Sequence, residues 1–100
     1  MRQSTFTVDA EKVQGNEGAT VTFRCLTVRA YREYRASPDI RDYDLVEAHI
    51  VSWTGIVGDD GKELPNPKDE PEIVNKLFLH EQGALAILLV QGPDGESAKN

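Results

Sequence analysis

The residues of this chain that could do chemistry are two histidines, one cysteine, an acidic turn and three arginines. His49 and His80 are the only histidines, and neither has a second ligand at the spacing of a zinc motif. A packed or half-exposed histidine is therefore the better interpretation of each. Cys25 ends an alternating segment with no histidine nearby in sequence, which favours a buried structural thiol. A single cysteine also excludes a disulfide framework and a cysteine-rich zinc site.

Residues 59–63 read Asp-Asp-Gly-Lys-Glu and superficially resemble a calcium-binding loop. An EF-hand loop needs side-chain oxygens at positions one, three and five before its glycine. Counting back from Gly61, position one is Ile56, which has no side-chain oxygen. We therefore expect a tight turn here and no metal site.

The sequence contains no arrangement typical of an enzyme active site. It has no phosphate-binding glycine loop, no nucleophile elbow and no paired carboxylates whose spacing assigns them roles. We expect a non-enzymatic protein without a metal or another cofactor.

Arg29, Arg32 and Arg35 recur at three-residue spacing and fall on one side of a predicted helix. A solvated helix face is the ordinary interpretation, and recognition of an anion is a weaker one. In an acidic protein these arginines could instead contact the acidic half of a second copy. We therefore predict them as a self-association surface.

Charge is distributed unevenly along the 100 residues. Eleven basic and seventeen acidic residues give a net charge of −6. This balance argues against nucleic acid as a partner, because phosphate neutralisation supplies most of such binding. Residues 1–40 carry six basic and five acidic residues, whereas residues 41–100 carry five and twelve. The first part is nearly neutral and the second is strongly anionic.

The length fits one small domain. Leu, Ile, Val and Phe together make up 25 residues, above the level that indicates intrinsic disorder. We expect a single folded domain over residues 1–91 and a flexible tail over residues 92–100. The longest apolar run, residues 84–90, is far shorter than the ~20 residues that span a bilayer. We expect an intracellular protein that does not contact a membrane.

The first quarter of the chain predicts a β-hairpin. Residues 5–8 and 19–23 alternate polar and apolar side chains and are rich in β-branched types. Turn-forming residues 15–18 lie in the connection. An isolated hairpin is marginal in water, so its apolar face must pack on other elements.

Helical segments follow the hairpin. Thr27 can cap a helix over residues 28–36, and a second helix is predicted over residues 43–53. Its buried stripe recurs at three- and four-residue spacing and consists of Leu45, Val46, His49, Ile50 and Trp53. The fold class is therefore predicted as α+β, an N-terminal β-hairpin packed on a small bundle of three to four α-helices.

The last third predicts a turn and two apolar segments. Asp60-Gly61 could close a tiny hairpin, and Pro71 fits the first turn of a third helix. The apolar stripe of that helix consists of Ile73, Val74, Leu77 and Phe78. Residues 84–90 are apolar nearly all round, so they should be buried or docked on a partner.

Residues 5–90 resemble small tail assembly chaperones of long-tailed, siphovirus-type bacteriophages. The resemblance is carried by Leu26 to Tyr31, by Leu45-Val46 leading to residues 51–57, and by Asp60 to Pro65. Members often show a strand-rich start, a Leu-Thr helix entry, a Trp-x-Gly step and an acidic-Gly-x-x-Leu-Pro turn. A helical segment with a leucine-rich end follows in the family and is matched here by residues 73–90.

The resemblance implies a role in virion morphogenesis. Such chaperones coat the hydrophobic tape measure protein in the cytoplasm of the bacterial host and keep it soluble until tail tube protein polymerises around it. The tape measure protein is therefore the expected partner, and tail tube protein a further candidate. From apolarity alone we predict as partner-binding residues Leu77, Phe78, Leu85, Leu88 and Leu89. A self-contained core is an equally good interpretation of the last three.

Two other functional classes stay open. A structural phage component, such as a tail tube or head–tail connector protein, would use the hairpin to pair with neighbouring subunits. A small bacterial regulatory or adaptor domain is the second alternative. Stoichiometric presence in purified virions would favour the structural component. The neighbouring genes would distinguish an adaptor domain from a phage chaperone.

Overall fold

A computed structural model describes residues 4–97 as an α+β fold. Three antiparallel strands form one sheet in the order β1-β2-β3, and these are β1 (Thr5–Asp9), β2 (Thr20–Arg24) and β3 (Ile50–Thr54). The helices are α1 (Glu11–Gln14), α2 (Val28–Ala36), α3 (Asp42–His49), a 3₁₀ helix (Pro71–Lys76) and α4 (Leu79–Ser97). The predicted fold class is confirmed.

The N-terminal hairpin forms as expected and gains a third strand. Phe6 pairs with Phe23 and Val8 with Val21 across β1 and β2, so their side chains share the buried face of the sheet. The opposite face carries hydroxyl side chains because successive residues of a strand point to opposite sides. On the other edge of β2, Trp53 of β3 pairs with Val21.

The predicted helix over residues 43–53 is wrong in its second half. α3 ends at His49, and the chain passes directly into β3. Ile50 and Trp53 are buried, as the apolar stripe required, but they reach the core from a strand. Backbone pairing with β2 satisfies the amide and carbonyl groups of this segment, and its β-branched and aromatic side chains fit a pleated surface.

A tight turn follows β3, in agreement with the expectation for the acidic segment. The Gly58 amide donates to the Lys62 carbonyl at 2.9 Å, and the Leu64 amide donates to the Ile56 carbonyl at 2.8 Å. Asp60 Oδ1 accepts a hydrogen bond from the Lys62 amide at 3.0 Å. The Asp60 carboxylate thus closes the turn that was predicted around Gly61.

Side chains tie the loops to the sheet. Gln14 acts as a substitute strand neighbour for Val57, because its Oε1 accepts from the Val57 amide at 2.9 Å and its Nε2 donates to the Val57 carbonyl at 2.8 Å. Trp53 Nε1 donates to the Pro65 carbonyl at 3.0 Å, and Asn66 Nδ2 donates to the Trp53 carbonyl at 3.2 Å. The segment after β3 is therefore fixed along the sheet.

The third predicted α-helix is a short 3₁₀ helix instead. Pro71 stands at its start, as expected, and Ile73 and Val74 are buried. The helix ends after six residues, because Leu77 has an extended backbone with φ −80° and ψ 154°. Glu81 Oε1 accepts a hydrogen bond from the Phe78 amide at 2.8 Å, which caps the first turn of α4.

α4 closes the core by packing against α3 and β1. The largest fully buried side chains come from β2, α3, the 3₁₀ helix, α4 and the segment after β3, and they are Phe23, Ile56, Leu85, Leu89, Val21, Val46 and Val74. Gly92 interrupts α4 with φ 66° and ψ −168°. A flexible tail was predicted from residue 92; the backbone is helical again over residues 93–97, and residues 98–100 lie outside the described part.

Candidate protein-docking groove

α4 has two apolar faces, and only one of them is buried. Leu85 is 0% exposed and Leu89 1%, whereas Ile87 is 61% exposed and Val90 44%. No charged residue occurs between Glu81 and Asp94, in a protein whose charged residues make up 28% of the chain. The outer face of α4 is therefore apolar, uncharged and exposed, which is typical of an interaction surface.

The five residues predicted to bind a partner divide between core and surface. Leu77, Leu85 and Leu89 are buried, and Leu88 is half-buried against the core. Only Phe78 is mainly exposed, and its ring stacks on His80 with a centroid separation of 5.8 Å. The structure thus places Leu85 and Leu89 in the self-contained core, the alternative that the sequence left open.

The exposed apolar residues of α4 were missed from the sequence. Leu79, Ile87 and Val90 lie on its outer side, with Gly83 between them. Their separations are multiples of the three- and four-residue spacing that places side chains on one helix face. The sequence contains this spacing. Because residues 84–90 are apolar on nearly every side, however, the spacing does not show which apolar face is exposed.

α2 forms the second wall beside this face. None of its residues is buried, and Tyr31 and Tyr34 are half-buried with their rings 6.3 Å apart. A cavity of about 560 Å³ separates the two tyrosines from Ile87 and Val90 of α4. This wall is an exposed helix that meets α4 across a gap.

The cavity continues at both ends of α2. Near the start of α2 lies a cavity of about 410 Å³, lined by Phe6, Leu26, Val28, Tyr31, Leu89 and Val90. Near its end lies one of about 700 Å³, lined by Tyr34, Arg35, Pro38, Ile40, Tyr43 and Leu79. Neighbouring cavities share Tyr31 and Val90, or Tyr34 and Arg35, so the three adjoin one another along α2. We call them together the α2–α4 groove.

Two polar contacts position α2. Thr27 Oγ1 accepts a hydrogen bond from the Ala30 amide at 3.1 Å, the N-cap that the sequence predicted. The Tyr34 hydroxyl donates to Asp42 Oδ1 at the start of α3. This hydrogen bond raises the pKa of Tyr34 above its usual value, with further contributions from burial and from the negative charge of Asp42.

The three arginines of α2 are all exposed but differ in their surroundings. Arg29 Nε lies 4.0 Å from Glu33 Oε1 in an (i, i+4) ion pair. An exposed ion pair of this kind contributes little to the stability of the fold. Arg35 lines the α2–α4 groove. Self-association through these arginines stays a prediction, since the structure contains one copy of the chain.

The other candidate residues occupy ordinary structural positions. His49 Nδ1 lies 3.0 Å from the Leu45 carbonyl within its own helix turn. Cys25 is half-buried at the edge of the groove, where a buried structural thiol was expected. Within residues 4–97, no three His, Cys, Asp or Glu side chains are grouped to hold a metal ion. The same part of the chain contains no helix with the length and apolarity to cross a bilayer.

Comparisons with protein-family models, curated proteins and solved structures gave no match to this chain. The α2–α4 groove is therefore assigned as the candidate site from its geometry and chemistry alone.

Proposed function

We propose that this chain is a tail assembly chaperone of a long-tailed bacteriophage, which binds the tape measure protein in the host cytoplasm and keeps it soluble during tail morphogenesis. The observation that supports the proposal most is the uncharged apolar face of α4, on which Leu79, Ile87 and Val90 are exposed beside α2. This face offers a docking surface for an apolar stripe of another helix. No catalytic step is part of the proposal.

The dimensions of the groove suit a helix. Leu79 and Val90 are eleven residues apart in one α-helix, a distance of roughly 16 Å or three turns. An amphipathic helix laid along such a groove is a common mode of peptide recognition, with anchors spaced by three or four residues. The tape measure protein, as a long and hydrophobic helical protein, would present such stripes repeatedly.

The strength of one contact should be moderate. Fully burying a side chain such as Ile, Leu or Val contributes about 1.5–3 kcal/mol, and the exposed residues of α4 are already partly covered. Ordering and loss of free motion oppose this gain. Several weakly bound copies along one tape measure protein would cover it while still yielding to polymerising tail tube protein. The net charge of −6 would keep the coated complex in solution.

Co-expression with the tape measure protein tests the proposal. Wild-type protein should raise the soluble yield of the tape measure protein, and the double variant Ile87→Asp/Val90→Asp should not. Both substitutions lie on the exposed face, so the fold should persist. Leu85→Asp is unsuitable, because a charge at this buried position would unfold the domain.

A matched control is Thr5→Asp/Asn75→Asp, which adds the same two negative charges at exposed positions outside the groove. It should preserve the soluble yield. Circular dichroism confirms that both variants are folded. If wild-type protein leaves the soluble yield unchanged, the proposed function is wrong; if the groove variant raises the yield as well as wild-type protein does, the site is wrong.

One observation favours a structural tail or head–tail connector protein as the second candidate. β1 lies at the edge of the sheet, so one side of its backbone has no neighbouring strand within the sheet. A neighbouring subunit, tail tube protein included, could add a strand there. Quantitative analysis of purified virions separates the two functions, since a chaperone should be absent and a structural component present in fixed stoichiometry.

A further inference from the structure

The two walls of the α2–α4 groove differ in charge. The outer face of α4 has no charged residue between Glu81 and Asp94. Val28, Arg32 and Arg35 of α2 are separated by four and three residues, so they lie along one side of that helix. Val28 and Arg35 both line the groove. Arg32 lines none of the three cavities, but it is exposed one helical turn from each of these residues, so we infer that it lies beside the groove.

The arginines beside the groove are not neutralised by an ion pair. Neither Arg32 nor Arg35 forms one with a residue of the described range 4–97. Asp42 is a carboxylate that lines the groove, but its Oδ1 accepts the hydrogen bond of the Tyr34 hydroxyl and it forms no ion pair with Arg35. Arg29 differs, because it is paired with Glu33. Two positive charges therefore border the apolar groove with no ion-pair partner among the described residues.

We propose that the α2–α4 groove selects an amphipathic helix of about three turns, whose apolar stripe lies on α4 and whose acidic side chains face Arg32 and Arg35. The inference rests on the proposed function in one respect, since it assigns this helix to the tape measure protein. Charge complementarity beside a partly desolvated groove favours acidic flanks and disfavours basic ones. Segments of the tape measure protein with lysine or arginine at the same flank should bind more weakly.

Two synthetic helical peptides test the selection directly. They share one stripe of leucines and carry either glutamate or lysine at the flanking positions, and their binding is measured by fluorescence anisotropy at low salt. The glutamate peptide should bind about tenfold more tightly, because Arg32 and Arg35 would each attract a glutamate and repel a lysine at an exposed position, and the two small differences add. The net charge of −6 by itself attracts the lysine peptide, so a preference for glutamate reports the local charge of the groove. Raising the salt to about 0.5 M should narrow the difference, because it shortens the screening length.

A charge-reversed variant identifies the residues responsible. Arg32→Glu/Arg35→Glu should invert the preference so that the lysine peptide binds more tightly. Lys62→Glu/Lys68→Glu changes the net charge by the same amount at exposed positions that do not line the groove, and it should keep the preference for glutamate. Circular dichroism confirms the fold of both variants.

The inference would be overturned by any of three results with wild-type protein: equal affinity for the two peptides, tighter binding of the lysine peptide, or no binding of either. A loss of oligomer mass on light scattering in Arg32→Glu/Arg35→Glu would also overturn it, because the arginines would then contact a second copy. These results are independent of the proposed function. That function fails when the soluble yield of the tape measure protein is unaffected, whichever peptide binds.

Discussion

The Tyr34 hydroxyl donates a hydrogen bond to Asp42 Oδ1 and thereby joins the last turn of α2 to the start of α3. No residue of α2 is buried, so packing alone holds this helix weakly. Tyr34 and Asp42 also line the α2–α4 groove. The width of the groove therefore depends on a polar contact between two partly exposed side chains.

Tyr34→Phe should lower the free energy of unfolding by about 1 kcal/mol, the usual net contribution of one hydrogen bond. Urea denaturation measures the change. Tyr31→Phe is the matched control, because the Tyr31 hydroxyl makes no hydrogen bond within residues 4–97 and its ring is retained. Equal losses in both variants would show that the Tyr34–Asp42 bond does not hold α2.

The same pair gives a pH dependence of known sign. The pKa of Tyr34 is raised in the folded state, mainly by its hydrogen bond to Asp42. The stabilisation is therefore fully present below the ordinary tyrosine pKa of about 10 and is lost as the pH rises through the higher pKa of the folded state. Ultraviolet absorbance should show one tyrosine that ionises late, and Tyr34→Phe should remove it.

The two faces of α4 should respond differently to truncation. Leu85→Ala creates a cavity at a fully buried position and should cost about 2–5 kcal/mol of stability. Ile87→Ala removes an exposed side chain and should change stability by less than about 0.5 kcal/mol. Chemical denaturation of both variants checks the assignment. A large loss at Ile87 would mean that the outer face of α4 is covered within the domain.

Two glycines with positive φ should differ in their tolerance of alanine. Gly61 has φ +79° and open space where an added Cβ would lie, so Gly61→Ala should cost about 1 kcal/mol from backbone strain alone. At Gly55, with φ +69°, an added Cβ would lie 3.2 Å from the Ala19 Cα. Gly55→Ala should therefore cost at least about 1 kcal/mol more, because crowding adds to strain. Thermal unfolding compares them, and equal midpoints would contradict the close approach.

Local patterns predicted the elements whose stabilising contacts are close in sequence. Alternation in residues 5–8 and 19–23 identified β1 and β2, and Thr27 identified the start of α2. β3 was missed because the spacing of Ile50 and Trp53 fits a helix as well as a core-facing strand. Pairing with β2, about thirty residues earlier, decides between the two, and no local pattern records that contact.

The candidate site was located only approximately from the sequence. The run over residues 84–90 correctly suggested an element that could be buried or docked. It could not show which face β1 and α3 cover, so Leu85 and Leu89 were chosen in place of Ile87 and Val90. The groove also needs α2, whose approach to α4 results from the tertiary fold and is not encoded in either helix alone.

The packing of α4 on β1 has a consequence for how the chain folds. Strand β1 can form its hairpin early, but its buried face stays open until residues through Leu89 have been synthesised. Closing the core therefore requires an encounter between segments about eighty residues apart, and folding rates fall as such contacts become more distant. The slow step should be the docking of α4 on β1. The same step completes the α2–α4 groove that a partner would recognise.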